Sequence, residues 1–125
     1  MTASILERDE RDPLYGHTRA EFESELRAAL RGRAEAAYFF GSYASGTLSA
    51  SSDIDLIIVA QTTRPFVERA RDYFDLLDIV PRMDILVYTP EELVSLTTNP
   101  SVGFWTQVTS TMRPLFEGHA QPPRR

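Results

Sequence analysis

The sequence predicts a small α/β (α+β) domain, a mixed β-sheet with helices packed on it. Three observations carry this expectation. The chain has 125 residues, enough for one modest core. Its apolar content of 42% and charged content of 25% are those of a folded globular protein rather than a disordered one. Its apolar runs of strand length alternate with stretches of helical spacing, in the order helix, strand, loop, strand, helix, strand, helix, helix.

Residues 1–16 mix charges with Pro13 and show no periodicity, so they read as a loose N-terminal arm. From Thr18, the residues Phe22, Leu26, Ala29 and Leu30 recur at helical spacing; Thr18 and Glu21 form a capping box and Gly32 a stop. "AAYFF" (36–40) is a short strand ended by Gly41, and "DIDLIIVA" (53–60) is a strand apolar on both faces beyond Asp55. Pro65 opens a helix whose stripe is Phe66, Ala70, Tyr73 or Phe74, Leu77 and Val80, and Pro81 ends it. "RMDILVY" (82–88) is the third strand. Thr89 followed by Pro90, Glu91 and Glu92 starts a helix through Leu93, Val94 and Leu96. "NPS" (99–101) breaks the chain, Val102 to Met112 is the last helix, and "RPLFE" is a short edge strand. The domain is expected over 17–118, with 119–125 a tail.

The composition excludes several functions. A net charge of −5 gives no basic face for general nucleic-acid binding, so no direct nucleic-acid partner is expected. No apolar run approaches the roughly 18 residues of a membrane span, and the N-terminus has no signal-peptide pattern, so a cytoplasmic location is expected. Without cysteine there is neither a disulfide nor Cys-ligated zinc. All thirteen basic residues are arginine, which removes lysine catalysis.

The chemistry concentrates in "FFGSYASGTLSASSDIDLIIV" (39–59). In a strand, residues i and i+2 share a side about 6.6 Å apart, so Asp53 and Asp55 project together while Ile54 points away. Two such carboxylates can hold a pair of metal ions, which in phosphoryl-transfer sites lie about 3.5–4 Å apart. Mg2+ suits an oxygen-only donor set and keeps waters that phosphates replace. Gly41 lets the backbone turn and lets a phosphate approach with no Cβ in the way. Ser42 is expected to cap a short helical turn that presents N–H groups to an anion, and Gly46 to end it.

"GSYASG" followed by "SDIDL" resembles the nucleotidyltransferase signature of the DNA polymerase β superfamily, in which a hydrophobic residue precedes Gly-Ser and a loop of about ten residues leads to Asp-x-Asp. Here Phe40 precedes Gly41-Ser42, and ten residues separate Ser42 from Asp53. The resemblance covers roughly residues 20–117 and implies the polymerase β-like nucleotidyltransferase fold. It also implies a third carboxylate on a later strand, matched by Asp84. The ending "TPEEL…NPSVGFWTQV…RPLFE" is similar to the minimal nucleotidyltransferases (MNT), many of which are encoded beside a HEPN-domain toxin that some adenylylate on a tyrosine. The resemblance therefore implies Mg2+ (two ions), ATP as nucleotide donor, Asp53, Asp55 and Asp84 as metal ligands and catalytic residues, Gly41 and Ser42 as nucleotide-binding residues, and an antitoxin that transfers AMP to a HEPN toxin. One departure is Ser45, where many minimal members have an arginine that would add positive charge near the triphosphate.

Taken singly, these features have ordinary readings. Asp-x-Asp is commonly a solvated turn entering a strand, Gly-Ser a strand-to-loop turn, and Asp84 a strand-end carboxylate facing water. Their combination outweighs those readings. Asp72, Asp75 and Asp78 read as a solvated helix face. His17 and His119 have no partner for metal or triad chemistry, and the serines lack an activating base. Trp105 and Phe104 read as core or contact surface, and Tyr43 as packing or a nucleotide contact. Two alternatives stand beside transfer to a toxin: a non-catalytic antitoxin that blocks its partner, and a nucleotidyltransferase for a small molecule such as an antibiotic. So short a chain leaves little mass for a second, acceptor-holding domain, which favours a macromolecular acceptor.

Overall fold

Helix α1 (Arg19–Leu30) starts where the capping box predicts: Thr18 Oγ1 accepts the Glu21 N–H at 3.0 Å and Glu21 Oε1 accepts the Thr18 N–H at 2.9 Å. It buries Phe22, Leu26 and Leu30. Strand β1 (Ala36–Phe40) follows, then a short helix α2 (Gly41–Ser45), strand β2 (Ile54–Val59) and a helical segment α3 (Phe66–Arg69) that tightens into a 3-10 helix over Ala70–Asp78. Strand β3 (Met83–Tyr88), helices α4 (Pro90–Thr98) and α5 (Phe104–Thr111) and strand β4 (Arg113–Glu117) complete the order. This computed structural model describes residues 12–98, 100 and 103–117. The expected arm over 1–11, the break at Asn99 and Ser101, the helix start at Val102, and the tail with His119 lie outside the described residues.

The four strands form one mixed sheet in the order β3-β2-β1-β4. β1 pairs antiparallel with β2 and β4, whereas β2 and β3 run parallel, joined by the helical crossover that a parallel pair requires. The alternation of side chains divides the interior in two. On one face Ala37, Phe39, Ile54, Leu56, Ile58 and Val87 pack under α1 and the 3-10 helix. On the other, Ala36, Phe40, Ile57 and Val59 meet Leu93 of α4 and Val108 of α5, with Trp105 and Tyr88 alongside. β2 is buried on both faces beyond Asp55, as its composition predicts.

Two expectations are corrected. The stripe after Pro65 is not that of one α-helix: Tyr73 and Leu76 are buried three residues apart, while Phe66 and Phe74 are 43% and 53% exposed. Winding at three residues per turn places i and i+3, rather than i+4, over one another. Residues 12–16 are also not loose. Asp12 accepts the Leu14 and Gly16 N–H groups, both at 2.9 Å, in a turn that buries Leu14.

Among the described residues, Arg69 is the buried charged side chain, 8% exposed. It donates to Glu92 Oε1 at 2.6 Å, Glu92 Oε2 at 3.1 Å, the Val87 carbonyl at 3.2 Å and the Arg64 carbonyl at 2.9 Å. Glu92 also closes the cap of α4, accepting the Thr89 N–H at 2.9 Å while donating its own N–H to Thr89 Oγ1 at 3.1 Å. One carboxylate thus fixes a helix start and neutralises a guanidinium out of water. The Arg69 hydrogen bonds pull the Glu92 carboxyl from its ordinary 4.5 down to about 2. A depressed acid stabilises the fold above its unfolded-state value and loses that contribution as pH falls through the folded one. Glu92→Gln is therefore expected to lower the melting temperature by several degrees at pH 7, a loss on the order of 1–2 kcal/mol for a partly exposed pair. The gap from wild type should shrink as pH falls from about 4.5 toward 2, as thermal melts across that range would show.

Candidate active site

The parallel register of β2 and β3 sets Asp55 directly beside Asp84, in the row after Ile54 and Met83. Adjacent strands lie roughly 4.8 Å apart and side chains in one row share a face, so the two carboxylates are neighbours. Across β2, Asp55 pairs with Phe40, the last residue before Gly41. Strand ends and turn together form a cleft of about 390 Å3 lined by Gly41, Asp55 and Asp84, with Phe40, Leu86, Phe104, Gln107 and Val108 as its remaining wall.

Gly41 has φ of +70°. A Cβ there would sit 2.5 Å from Asp55 Oδ2, so the carboxylate occupies the space that glycine leaves. The turn is held from several sides. The Gly41 N–H donates to Thr111 Oγ1 at 3.0 Å, its carbonyl accepts from Ser45 Oγ at 2.7 Å, and Tyr43 is fully buried. Tyr43 packs on Phe22 and Phe39 and donates to Glu23 Oε2 at 2.7 Å, which settles its role as packing. Gly46, with φ of +80°, ends the turn as expected. Ser42 does not cap it: the N-cap position is Phe40, with no side-chain cap, and Ser42 lies inside the helix. The Gly41 N–H at its start is engaged by Thr111.

Asp53 differs from the other two in its partner. It is exposed just before β2, and its Oδ1 accepts from Arg82 Nε at 3.2 Å. Among the described residues, no three acidic or histidine side chains form a ready-made metal cluster. The donor set nonetheless suits a hard divalent cation, with oxygen ligands only and two carboxylates in one row. Burial, then Asp84, then Asp53, push the Asp55 carboxyl up from 3.8 to about 6, an unfavourable ionisation that a cation would relieve. Asp55 and Asp84 could hold such a cation as they stand, and Asp53 would join by turning from Arg82.

Sequence reasoning missed Thr111, Gln107, Phe104 in the cleft wall, and Arg82. Only Arg82 had a usable signal: it precedes Asp84 by two residues, as Asp53 precedes Asp55, which is the spacing of side chains on one strand face. Phe104 is 50% exposed, edge-on to Phe40 with ring centroids 5.7 Å apart.

Residues 25–120 match the family model "Polymerase beta, Nucleotidyltransferase". The chain therefore belongs to the polymerase β nucleotidyltransferase family, and its four-stranded mixed sheet flanked by helices fits that fold. No curated protein matches it. Among solved structures, one similar chain comes from "the toxin-antitoxin with AMP-PNP", at 24% identity over 78% of this chain and 74% of that one, with a TM-score of 0.48. Another comes from a tri-AMPylated Shewanella oneidensis HEPN toxin in complex with MNT antitoxin, at 20% identity over 80% and 73%, TM-score 0.45. A third, from a mutant MntA–HpeT toxin-antitoxin, has 20% identity over 78% and 74%, TM-score 0.45. No helix among the described residues is long and apolar enough to cross a membrane.

Two substitutions test this geometry. Gly41→Ala forces an L-residue to positive φ, at about 1–2 kcal/mol, and pushes its methyl into Asp55; the melting temperature should fall and cation binding weaken. Asp55→Asn acts oppositely in metal-free protein. A raised acid leaves stability intact below its unfolded value, near 3.8, and costs stability as pH rises through about 6. Asp55→Asn should thus melt higher than wild type above pH 6, with the advantage gone below pH 4, in thermal scans with chelator present.

Proposed function

We propose that this domain transfers a nucleotidyl group, AMP from ATP, to a hydroxyl of a partner macromolecule, with Asp53, Asp55 and Asp84 as the residues that carry the reaction. The observation that supports this most is the pairing of Asp55 with Asp84 in one row of the sheet, opening on a cleft at the glycine turn. Family membership supplies the reaction class; the acceptor and the nucleotide are part of the proposal.

Asp55 and Asp84 would hold a divalent cation, Mg2+ by donor chemistry, with Asp53 as the third ligand. The bound cation would neutralise phosphate charge and make the attacked phosphorus more electrophilic. Asp84, the more exposed member of the pair, would take the proton from the acceptor hydroxyl as its oxygen attacks the α-phosphorus and pyrophosphate leaves. Asp55, half-buried and fixed by the apolar strand behind it, orients the ligand set. The turn at Gly41 and Ser42 lets phosphates approach the backbone, and the Ser42 hydroxyl, which makes no hydrogen bond to the described residues, is the polar group it offers. With the Gly41 N–H held by Thr111 and its Cβ space taken by the Asp55 carboxylate, the phosphate contact at this turn would rest on the Ser42 hydroxyl. Positioning and charge neutralisation supply most of the rate.

The acceptor we favour is a tyrosine on a HEPN-domain toxin, which makes the protein an antitoxin. The support is the motif spacing and chain ending that resemble the minimal nucleotidyltransferases. The purified domain, incubated with labelled ATP, Mg2+ and the product of the adjacent gene, should place label on a partner tyrosine. Asp84→Asn should cut that transfer by at least about 100-fold. A tight complex without label would instead establish a blocking module, and no protein partner would return the small-molecule acceptor. Millimolar Mg2+ should also raise the wild-type melting temperature and leave that of Asp55→Asn unmoved.

A further inference from the structure

Two residues before the clustered acids, the two strands carry a pair of the opposite character. Ile54 pairs with Met83, and its N–H donates to the Arg82 carbonyl at 2.9 Å, so Asp53 and Arg82 flank each other one residue earlier on the two strands. An acid–acid row and an acid–base pair therefore lie two residues apart along the strands, with Ile54 and Met83 between them. Arg82 does more than pair with Asp53. Its Nη1 donates to the Ala50 carbonyl at 2.7 Å and its Nη2 to the Ser51 carbonyl at 3.0 Å. The guanidinium thus spans three acceptors over residues 50–53, and the two shorter contacts go to peptide carbonyls.

These distances rank the contacts. The ion pair to Asp53 is a single 3.2 Å contact between side chains 37% and 51% exposed, the kind that contributes little on its own. The carbonyl contacts fix the backbone that leads into Asp53. Otherwise this stretch is held by serine contacts within itself, such as Ser52 N–H to the Ser49 carbonyl at 3.0 Å and Ser49 Oγ to Ser52 Oγ at 3.0 Å. Among the described residues, Arg82 makes the side-chain contacts that tie 50–53 to β3.

We infer that Arg82 is a positioning residue: it staples the end of the glycine-serine loop to β3, so that Asp53 stands beside Asp55 and can exchange the guanidinium for a cation while the carbonyl contacts hold the loop. This rests on the proposed metal site but concerns the loop itself. In the metal-free protein the same guanidinium balances one of three neighbouring negative charges. Lysine cannot replace it, because one ammonium on a flexible stem does not present a planar fork to three acceptors at once.

The test compares wild type, Arg82→Ala, Arg82→Lys and, as an exposed arginine elsewhere, Arg71→Ala. Hydrogen exchange on the metal-free proteins should show the Ser52 amide exchanging faster in both Arg82 variants and unchanged in Arg71→Ala. A Mg2+ titration followed by melting temperature should need about tenfold more Mg2+ for half-saturation in Arg82→Ala, the usual scale for a group supporting a metal ligand. Arg82→Lys should lie close to Arg82→Ala, and it stands in should the alanine variant not fold. A merely structural arginine would lower the melting temperature without moving the Mg2+ midpoint. Unchanged exchange at Ser52, or a midpoint equal to or below that of wild type, overturns the inference. If wild type shows no Mg2+ response, the metal reading fails by itself and the exchange comparison still decides the role of Arg82.

Discussion

Two negative charges standing side by side at the edge of an apolar sheet are the constraint around which this domain is arranged. Parallel pairing of β2 and β3 puts Asp55 next to Asp84, and among the described residues neither is paired with a guanidinium. Such a row is unfavourable by itself: burial first, then Asp84 and Asp53, push the Asp55 carboxyl up. It persists because the rest of β2 is committed: Ile57 and Val59 are locked in one core, and Ile54, Leu56 and Ile58 in the other. Sliding β2 by one residue would separate the acids but would exchange every side chain between the two cores. Apolar burial on both faces outweighs the repulsion, and the strained pair is left where a ligand can reach it.

The turn before the acids is braced from the opposite side of the sheet. Tyr43 drives into the core between Phe22 and Phe39, and its ring carries two arginines: Arg19 at 4.1 Å from the centroid and Arg113 at 5.7 Å. Arg19 also donates to the Tyr43 carbonyl at 3.3 Å, and Arg113 joins Tyr43 on Glu23 Oε2 at 2.9 Å. Glu23 belongs to α1 and Arg113 to β4, so a five-residue helix too short to be stable alone is tied to both ends of the chain. On the cleft side, Thr111 reaches it from α5. The turn is rigid because its neighbours are, a condition for any site that works by positioning.

Much of this was legible in the sequence, for identifiable reasons. The capping boxes at Thr18 and Thr89 are local, since each joins residues three apart, and both form. The strands announce themselves by apolar runs, and Asp55 with Asp84 follows once both strands are placed in one sheet. The 3-10 winding after Arg69 is hidden in the sequence because an apolar pair three residues apart, such as Tyr73 and Leu76, suits either winding. Thr111 on the Gly41 N–H, and Arg82 on Ala50 and Ser51, join residues 70 and about 30 positions apart through backbone groups. Backbone N–H and carbonyl groups have no residue identity, so no side-chain pattern records these contacts. The contact of Asp53 with Arg82 is likewise long-range, joining side chains 29 positions apart.

The charge distribution bears on how an anionic substrate could approach. The chain is acidic overall, and Ser45 stands where many minimal nucleotidyltransferases have arginine. Here its hydroxyl returns to the Gly41 carbonyl, bracing the turn without adding charge. Arg19 and Arg113 lie near the turn but face the other side of the sheet, engaged with Tyr43 and Glu23. Arg82 is the guanidinium in contact with the acidic set among the described residues, and its donors are taken by Asp53 and two carbonyls. A triphosphate entering the cleft would thus meet carboxylates first, and under the proposed function the positive charge it needs must arrive as a bound cation. Ligand chemistry and protein charge then point the same way: the fold contributes acids held in place, and the affinity of this site for nucleotide should follow the cation it holds more closely than any arginine of its own.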